Sequence, residues 1–195
     1  MITVVSDTHG TDEHRLEGRT LEAVREADLV IHAGDFTTET VLDAFVEAAG
    51  ARTGSAAGTE TGAGDGADGN DGEGFVAVAG NNDDAAVRER LDTTRVVERA
   101  GVRFVVVHGH EHGQTALSML GRQEGADVAV VGHSHRPGWD PSGAVAVLNP
   151  GSHADPRWYR PAHAELEATT EGLSGRLVTP DGEVLEAFDL AVDRA

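Results

Sequence analysis

The residues of this chain best equipped for chemistry come in short glycine-flanked groups. They are Asp7-Thr8-His9, Gly34-Asp35, Gly80-Asn81, His108-Gly109-His110 and Gly132-His133-Ser134-His135. Carboxylates, a carboxamide and imidazoles are the side chains that ligate hard and borderline divalent metals. The sequence contains no cysteine, so thiolate sites, disulfides and cysteine nucleophiles are excluded. No serine with its own base is needed to account for the set. Three or four such groups satisfy one ion. Seven of them (Asp7, His9, Asp35, Asn81, His108, His133 and His135) suggest two ions with a bridging carboxylate. Asp35, a lone carboxylate on a central strand, is the natural bridge. Two metals about 3.5–4 Å apart can clamp the attacking and departing oxygens of an in-line phosphoryl displacement.

Each group follows an apolar run that reads as a buried strand: residues 2–5, 29–33, 75–79, 102–108 and 127–131. In open α/β sheets, ligands collect outside the carboxyl ends of the strands. An i, i+2 spacing keeps both side chains of Asp7/His9 and of His133/His135 on one side of an extended segment. Adjacent glycines let the backbone turn and close on a small ligand. Helical patterning lies between the strands, at 12–27, 38–49, 83–91 and 114–125. The last third alternates apolar and polar residues around a Pro-Asp-Gly turn at 180–182, which predicts an antiparallel hairpin. The expected architecture is an α/β core with two packed sheets and helices outside.

Taken singly, each group has a plainer reading. Asp7, Asp35 and the Asn81–Asp84 cluster could be helix caps, and His133 and His135 could belong to a solvated loop. The ordered set argues for chemistry. Other residues keep the plainer assignment. His32 is expected to be hydrogen-bonded behind the site or in the core. His14, His112 and His163 carry no partner pattern. His153 and Arg157, just past Asn149-Pro150-Gly151-Ser152, could reach a substrate phosphate but are given loop roles, and Trp139, Trp158 and Tyr159 are read as packing or interface residues.

The 195 residues suit one domain spanning 1–195. Residues 50–74 hold nine of the 25 glycines and no hydrophobic residue larger than alanine, so they read as a flexible surface insertion. The net charge is −19, and all 15 basic residues are arginine. Such a field repels nucleic acid, and no basic groove for a nuclease is visible. Acids spread along the whole chain point to a salt-rich cytoplasm, where at 1 M salt the Debye length is roughly 3 Å. No signal peptide or membrane span is expected. A homo-oligomer through exposed apolar residues is compatible with the sequence.

The ordered set Asp7-x-His9, Gly34-Asp35, Gly80-Asn81-x-Asp83, His108 and Gly132-His133-x-His135, followed by Asn149-Pro150-Gly151-Ser152, resembles the calcineurin-like metallophosphoesterase superfamily. Within it, the chain is most similar to the small YfcE-type phosphodiesterases. The resemblance implies a four-layer α/β/β/α sandwich of two mixed sheets flanked by helices. It implies that Asp7, His9, Asp35 and His135 hold one metal, and that Asp35, Asn81, His108 and His133 hold the other. The ions would be manganese, or nickel, iron or zinc. The implied activity is a metal-dependent phosphodiesterase, with a metal-bound hydroxide attacking a small phosphodiester in line. Members of the superfamily commonly place the leaving group's acid, a histidine, where this chain has Asn82, which cannot protonate anything. His110, beside His108, is the candidate acid in its stead, with water or a metal-bound water as the rival. The same fold also serves as a non-catalytic, protein-binding scaffold subunit of the retromer coat, which is the alternative from another class. A nucleotide pyrophosphohydrolase is the enzymatic alternative.

Overall fold

The computed structural model describes residues 1–50 and 74–192. The insertion read at 50–74 therefore lies outside the described residues, except for its two end glycines. In chain order the elements are β1 (Ile2–Val5), α1 (Gly18–Glu26), β2 (Leu29–His32), α2 (Glu39–Ala48), β3 (Phe75–Ala77), α3 (Ala85–Arg90), β4 (Thr94–Arg99) and β5 (Val102–Val107). They continue with α4 (Gln114–Gln123), β6 (Val128–Val130), β7 (Gly138–Asp140), β8 (Ala146–Asn149), β9 (His163–Ala168), β10 (Gly172–Val178) and β11 (Val184–Ala191).

The strands form two mixed sheets, in the orders β11-β10-β9-β1-β2-β3 and β4-β5-β6-β8-β7. β1, β2 and β3 run parallel, as do β5, β6 and β8, while β9 to β11, β4 and β7 pair antiparallel. Between the sheets, Ile2, Val4, Leu29 and Ile31 meet Phe104, Val106, Val128 and Val130 in one buried cluster. Alternate residues of the first sheet, such as Val5, Val30 and Ala77, face outward. They are covered by Val24 of α1, by Val41, Leu42, Phe45 and Val46 of α2 and by Val87 of α3. On the second sheet, Val105, Val107, Ala129 and Val131 lie under Leu117 and Leu120 of α4. The result is the four-layer α/β/β/α sandwich. Its central strands are apolar on both faces because both faces are covered.

The hairpin expected in the last third is β10–β11, closed where Gly182 N–H donates to Thr179 O at 2.8 Å. Two strands escaped the sequence reading. β4 has only two apolar residues, the adjacent and half-buried Val96 and Val97, and so lacks the period of a strand, and β7 is three residues long. The helix expected over 12–27 begins only at Gly18. Upstream, Arg15 takes a left-handed backbone (φ 53) and Leu16 N–H bonds to His14 Nδ1, so local polar bonding wins over helical periodicity. Leu16 is still buried against α2, which is why the apolar spacing looked helical. No helix among the described residues is long and apolar enough to cross a membrane.

Candidate metal centre

Five strand ends on one rim of the sandwich deliver the polar groups. Asp7 and His9 follow β1, Asp35 follows β2, Asn81 follows β3, His108 follows β5, and His133 and His135 follow β6. Tight turns are needed to bring them together. Asp7, His9, Asp35, His133 and His135 all have left-handed backbones, with φ between 47° and 64°. Non-glycine residues adopt this region rarely and at a cost, and such strain concentrates at functional sites. Two glycines make the close approach possible. A Cβ on Gly132 would lie 1.9 Å from Ser6 Oγ and 2.7 Å from Asp7 Oδ2, and one on Gly80 would lie 2.2 Å from Asp35 Oδ1.

The seven side chains form two lobes. In one, His9 Nε2 and His135 Nε2 are 3.3 Å apart, and His135 Nε2 is 3.3 Å from Asp7 Oδ1. In the other, Asn81 Oδ1 lies 3.1 Å from His108 Nε2 and 3.0 Å from His133 Nδ1. Asp35 Oδ2 spans them, 3.5 Å from His9 Nε2 and 3.2 Å from His108 Nε2. Asp7 also reaches both lobes: it groups with His9 and His135, and with Asp35 and His108. The Nδ1–H of His108 donates to Ala33 O at 2.7 Å, and that of His135 donates to Asp155 O. Each bond leaves the Nε2 lone pair turned inward.

Inward-facing acceptors repel one another unless a proton or a cation lies between them. The ionisation of the site reflects this. Burial pushes the Asp7 carboxyl up to about 7. Burial opposes a charge on His108, but the hydrogen bond and charge of Asp35 outweigh it and raise the ring above its ordinary value. Burial also opposes the Asp35 charge, yet His108 and two hydrogen bonds from Asn82 hold its carboxyl well below the usual range. A divalent cation would take the place of these protons. Neighbouring donor atoms 3.0–3.9 Å apart fit a coordination shell with bonds of about 2.0–2.2 Å.

Sequence reasoning missed the two residues that hold Asp35 in place. Asn82 donates to it twice, from its backbone N–H at 2.8 Å and its side chain at 2.7 Å. Asp83, which is buried, accepts from the backbone N–H groups of Gly80 (2.7 Å), Thr37 (2.7 Å) and Asp35 (3.2 Å). Only the neighbouring Asp84 is the cap expected from the cluster, accepting from Val87 N–H. His110 stands beside the second lobe, its ring 5.5 Å from His108 and 6.0 Å from His133. His153 and His163 are buried away from it, and His163 has the partners the sequence did not disclose, Thr20 and Glu165. Trp139 packs as expected, stacked on Phe188 at 4.4 Å. Trp158 does not pack: it is 95 % exposed. Burial disfavours protonation of His9, His133 and His135, and the charge of Arg157, read as a loop residue, adds to this in a minor way.

Comparison with known proteins points the same way. The calcineurin-like phosphoesterase superfamily domain matches residues 1–171. A probable metallophosphoesterase of Bacillus subtilis, YsnB, is 31 % identical over 192 residues, covering 95 % of this chain and 94 % of its own. Among solved structures, zinc-complexed Vps29 of Entamoeba histolytica superposes with a TM-score of 0.67 at 22 % identity, covering 96 % of this chain and 98 % of its own. A novel archaeal phosphodiesterase superposes with a TM-score of 0.58 at 22 % identity, covering 91 % and 99 %.

Proposed function

The chain belongs to the calcineurin-like phosphoesterase superfamily, and from that premise we propose that it is a metal-dependent phosphodiesterase acting on a small phosphodiester. One observation carries the reading: lone-pair donors from five strand ends converge on a site that Asp35 spans. Carboxylate, carboxamide and imidazole donors suit manganese, and also iron, nickel or zinc. Asp7, His9, Asp35 and His135 would hold one ion, and Asp35, Asn81, His108 and His133 the other, with Asp35 bridging. A bound pair of divalent ions supplies charge neutralisation at phosphate and a water nucleophile usable at neutral pH. The protein's own part is placement. Ala33 and Asp155 carbonyls fix the His108 and His135 rings, while Asn82 and Asp83 fix Asp35. His110, whose ring lies beside those of His108 and His133, would protonate the departing oxygen. Without the superfamily's usual histidine, a leaving group of low pKa should be favoured. The acidic, lysine-free composition supports work in a salt-rich cytoplasm.

The test is hydrolysis of bis(p-nitrophenyl) phosphate in molar salt, with and without manganese, by the wild type and Asp35→Ala. Manganese-dependent turnover abolished by the substitution is expected. A folded, metal-loaded protein with no turnover would overturn the reading. That result would favour a protein-binding role, which the similarity in fold to Vps29 supports as the second reading.

A further inference from the structure

Four large hydrophobic residues stand exposed among the described residues: Met119 (69 %), Trp158 (95 %), Tyr159 (41 %) and Val184 (49 %). Met119 lies apart, on α4. The other three flank the two partners of one ion pair. The guanidinium of Arg160 donates to both carboxylate oxygens of Glu183, at 2.7 and 2.5 Å. Trp158 and Tyr159 come just before Arg160, and Val184 just after Glu183. The pair draws the turn at 156–159, closed by Tyr159 N–H to Pro156 O at 2.9 Å, against the β10–β11 turn. The loop is also anchored at its other end. Ser152 Oγ donates to Asp7 O at 2.7 Å and accepts from Asp155 N–H at 2.8 Å, and the Asp155 carbonyl accepts from His135. A patch held on both sides has little freedom left to lose on binding.

Composition sets this patch apart. In a chain with 34 acidic residues, the stretch 156–161, Pro-Arg-Trp-Tyr-Arg-Pro, holds two arginines, a tryptophan, the one tyrosine and no acid. Tryptophan, tyrosine and arginine are enriched in protein–protein interfaces and at their energetic centres, where carboxylates are depleted. Exposed apolar residues scattered singly are ordinary, whereas a group of them marks an interaction surface. Charge decides which partner fits. Arg157, beside Trp158, and Asp181, at the tip of the β10–β11 turn, are both exposed, and neither side chain makes a hydrogen bond or ion pair with any described residue. A partner of one sign would satisfy one of them and repel the other. A second copy related by a two-fold axis satisfies both, because in such an interface Arg157 of each chain can meet Asp181 of the other. The three apolar side chains expose roughly 400 Å² per copy, about half of the ~800 Å² that each partner gives to a standard stable interface. The charged residues around them supply the polar rim.

We propose that the patch of Trp158, Tyr159 and Val184 is the interface of a two-fold symmetric homodimer, with the exposed indole as its anchor and reciprocal Arg157–Asp181 pairs at its rim. The inference is independent of the phosphoesterase reading.

Sedimentation equilibrium of the full chain in molar salt tests it. The wild type should sediment at twice the chain mass at micromolar concentration. Trp158→Ala should weaken the dimer by at least about thirtyfold, the loss typical of an anchor residue. Met119→Ala, at the exposed hydrophobic residue outside the patch, should leave it unchanged. Arg157→Asp and Asp181→Arg should each set like charges against one another twice in the interface and weaken it by at least about tenfold. The two substitutions combined should restore the dimer, because the reciprocal pairs re-form with their signs exchanged. All these side chains are exposed, so folding, followed by circular dichroism, should be unchanged throughout. A wild type that stays monomeric up to millimolar concentration would overturn the proposal, as would a dimer that Trp158→Ala leaves intact. A combined charge exchange that dimerises no better than either single variant would refute the reciprocal pairs and with them the two-fold arrangement.

Discussion

His32 Nε2 and Thr8 Oγ1 are 2.9 Å apart, and this bond ties the end of β2 to the loop that carries Asp7 and His9. The tautomer follows from the other ring nitrogen. Nδ1 accepts from Gly34 N–H at 3.2 Å, so Nε2 carries the hydrogen and donates to Thr8. The ring is fully buried, stacked 3.6 Å from Phe36 and edge-on to Phe45. It cannot tilt away without opening the core beneath α2.

His32→Phe keeps the packing and removes the tether. Partners that orient ligand-bearing segments typically cost 10–100-fold in metal affinity or activity when lost, and a loss of about tenfold in manganese affinity is expected here. Thr8→Val should have a similar effect, and the double variant should be no worse than either single one. Isothermal titration with manganese measures all three. Strictly additive losses would show that the two residues do not act as a pair.

Gly132→Ala should disable the site while the sandwich still folds. The new Cβ would fall 1.9 Å from the buried Ser6 Oγ and 2.7 Å from Asp7 Oδ2, and neither atom can yield without moving the β1 loop. A loss of manganese binding by more than about tenfold is expected. Gly113→Ala is the control, since that position has open space and an ordinary backbone. Equal manganese binding by the two variants would refute the close-approach argument.

His153 should make stability fall in mild acid. The ring is buried, Nε2 donates to His14 O at 3.3 Å, and Nδ1 finds no hydrogen-bond partner among the described residues. Burial pushes its pKa down to about 4, against 6.5 in the unfolded chain. Below pH 6.5 the unfolded state therefore takes up a proton that the folded state refuses. The contribution is complete above pH 6.5 and is lost as pH falls toward 4, on the order of 3 kcal/mol over that window. His32, whose pKa is also lowered by burial, acts in the same direction. Urea midpoints at constant high salt should decline over this range for the wild type and more shallowly for His153→Gln. Parallel curves would contradict the assignment.

Glu165 of β9 faces away from the inter-sheet core that its neighbours Ala164 and Leu166 enter, and two arginines cover it. Arg19 reaches it at 2.7 and 3.0 Å, Arg176 at 2.6 and 3.1 Å, and His163 at 3.1 Å. Burial alone would raise its carboxyl, but these hydrogen bonds outweigh it and hold it well below the usual range. A depressed carboxylate stabilises the fold above its unfolded pKa of about 4.5 and loses that contribution as pH falls below it. Breaking a buried pair from one side costs about 3 kcal/mol or more. Glu165→Gln should therefore lower Tm by roughly 6–12 °C at pH 7, and by progressively less as pH falls below 4.5. A penalty that does not change with pH, read by calorimetry, would rule out an ionic origin.

The chain by itself determined which side chains could gather a divalent ion. It also placed each of them at the end of an apolar run, and in parallel strands those ends share one rim. The two covered faces of the central strands were legible for the same reason: continuous Val and Ile runs leave no solvated side. Tertiary structure alone decided what holds and surrounds those groups. Asp83 looks like a cap beside Asp84, and only the fold turns it toward the N–H groups of Gly80, Thr37 and Asp35. Asn82 was read for what it cannot donate to a leaving group, not for its grip on Asp35. Trp158 read as a packing or interface residue, and only the fold shows it at the tip of the turn at 156–159, left in water. The division has a physical cause. Secondary-structure period and side-chain chemistry are written locally, whereas a hydrogen bond between residues nearly fifty positions apart, like that of Asp83 to the Asp35 backbone, exists only once packing has brought the two loops together.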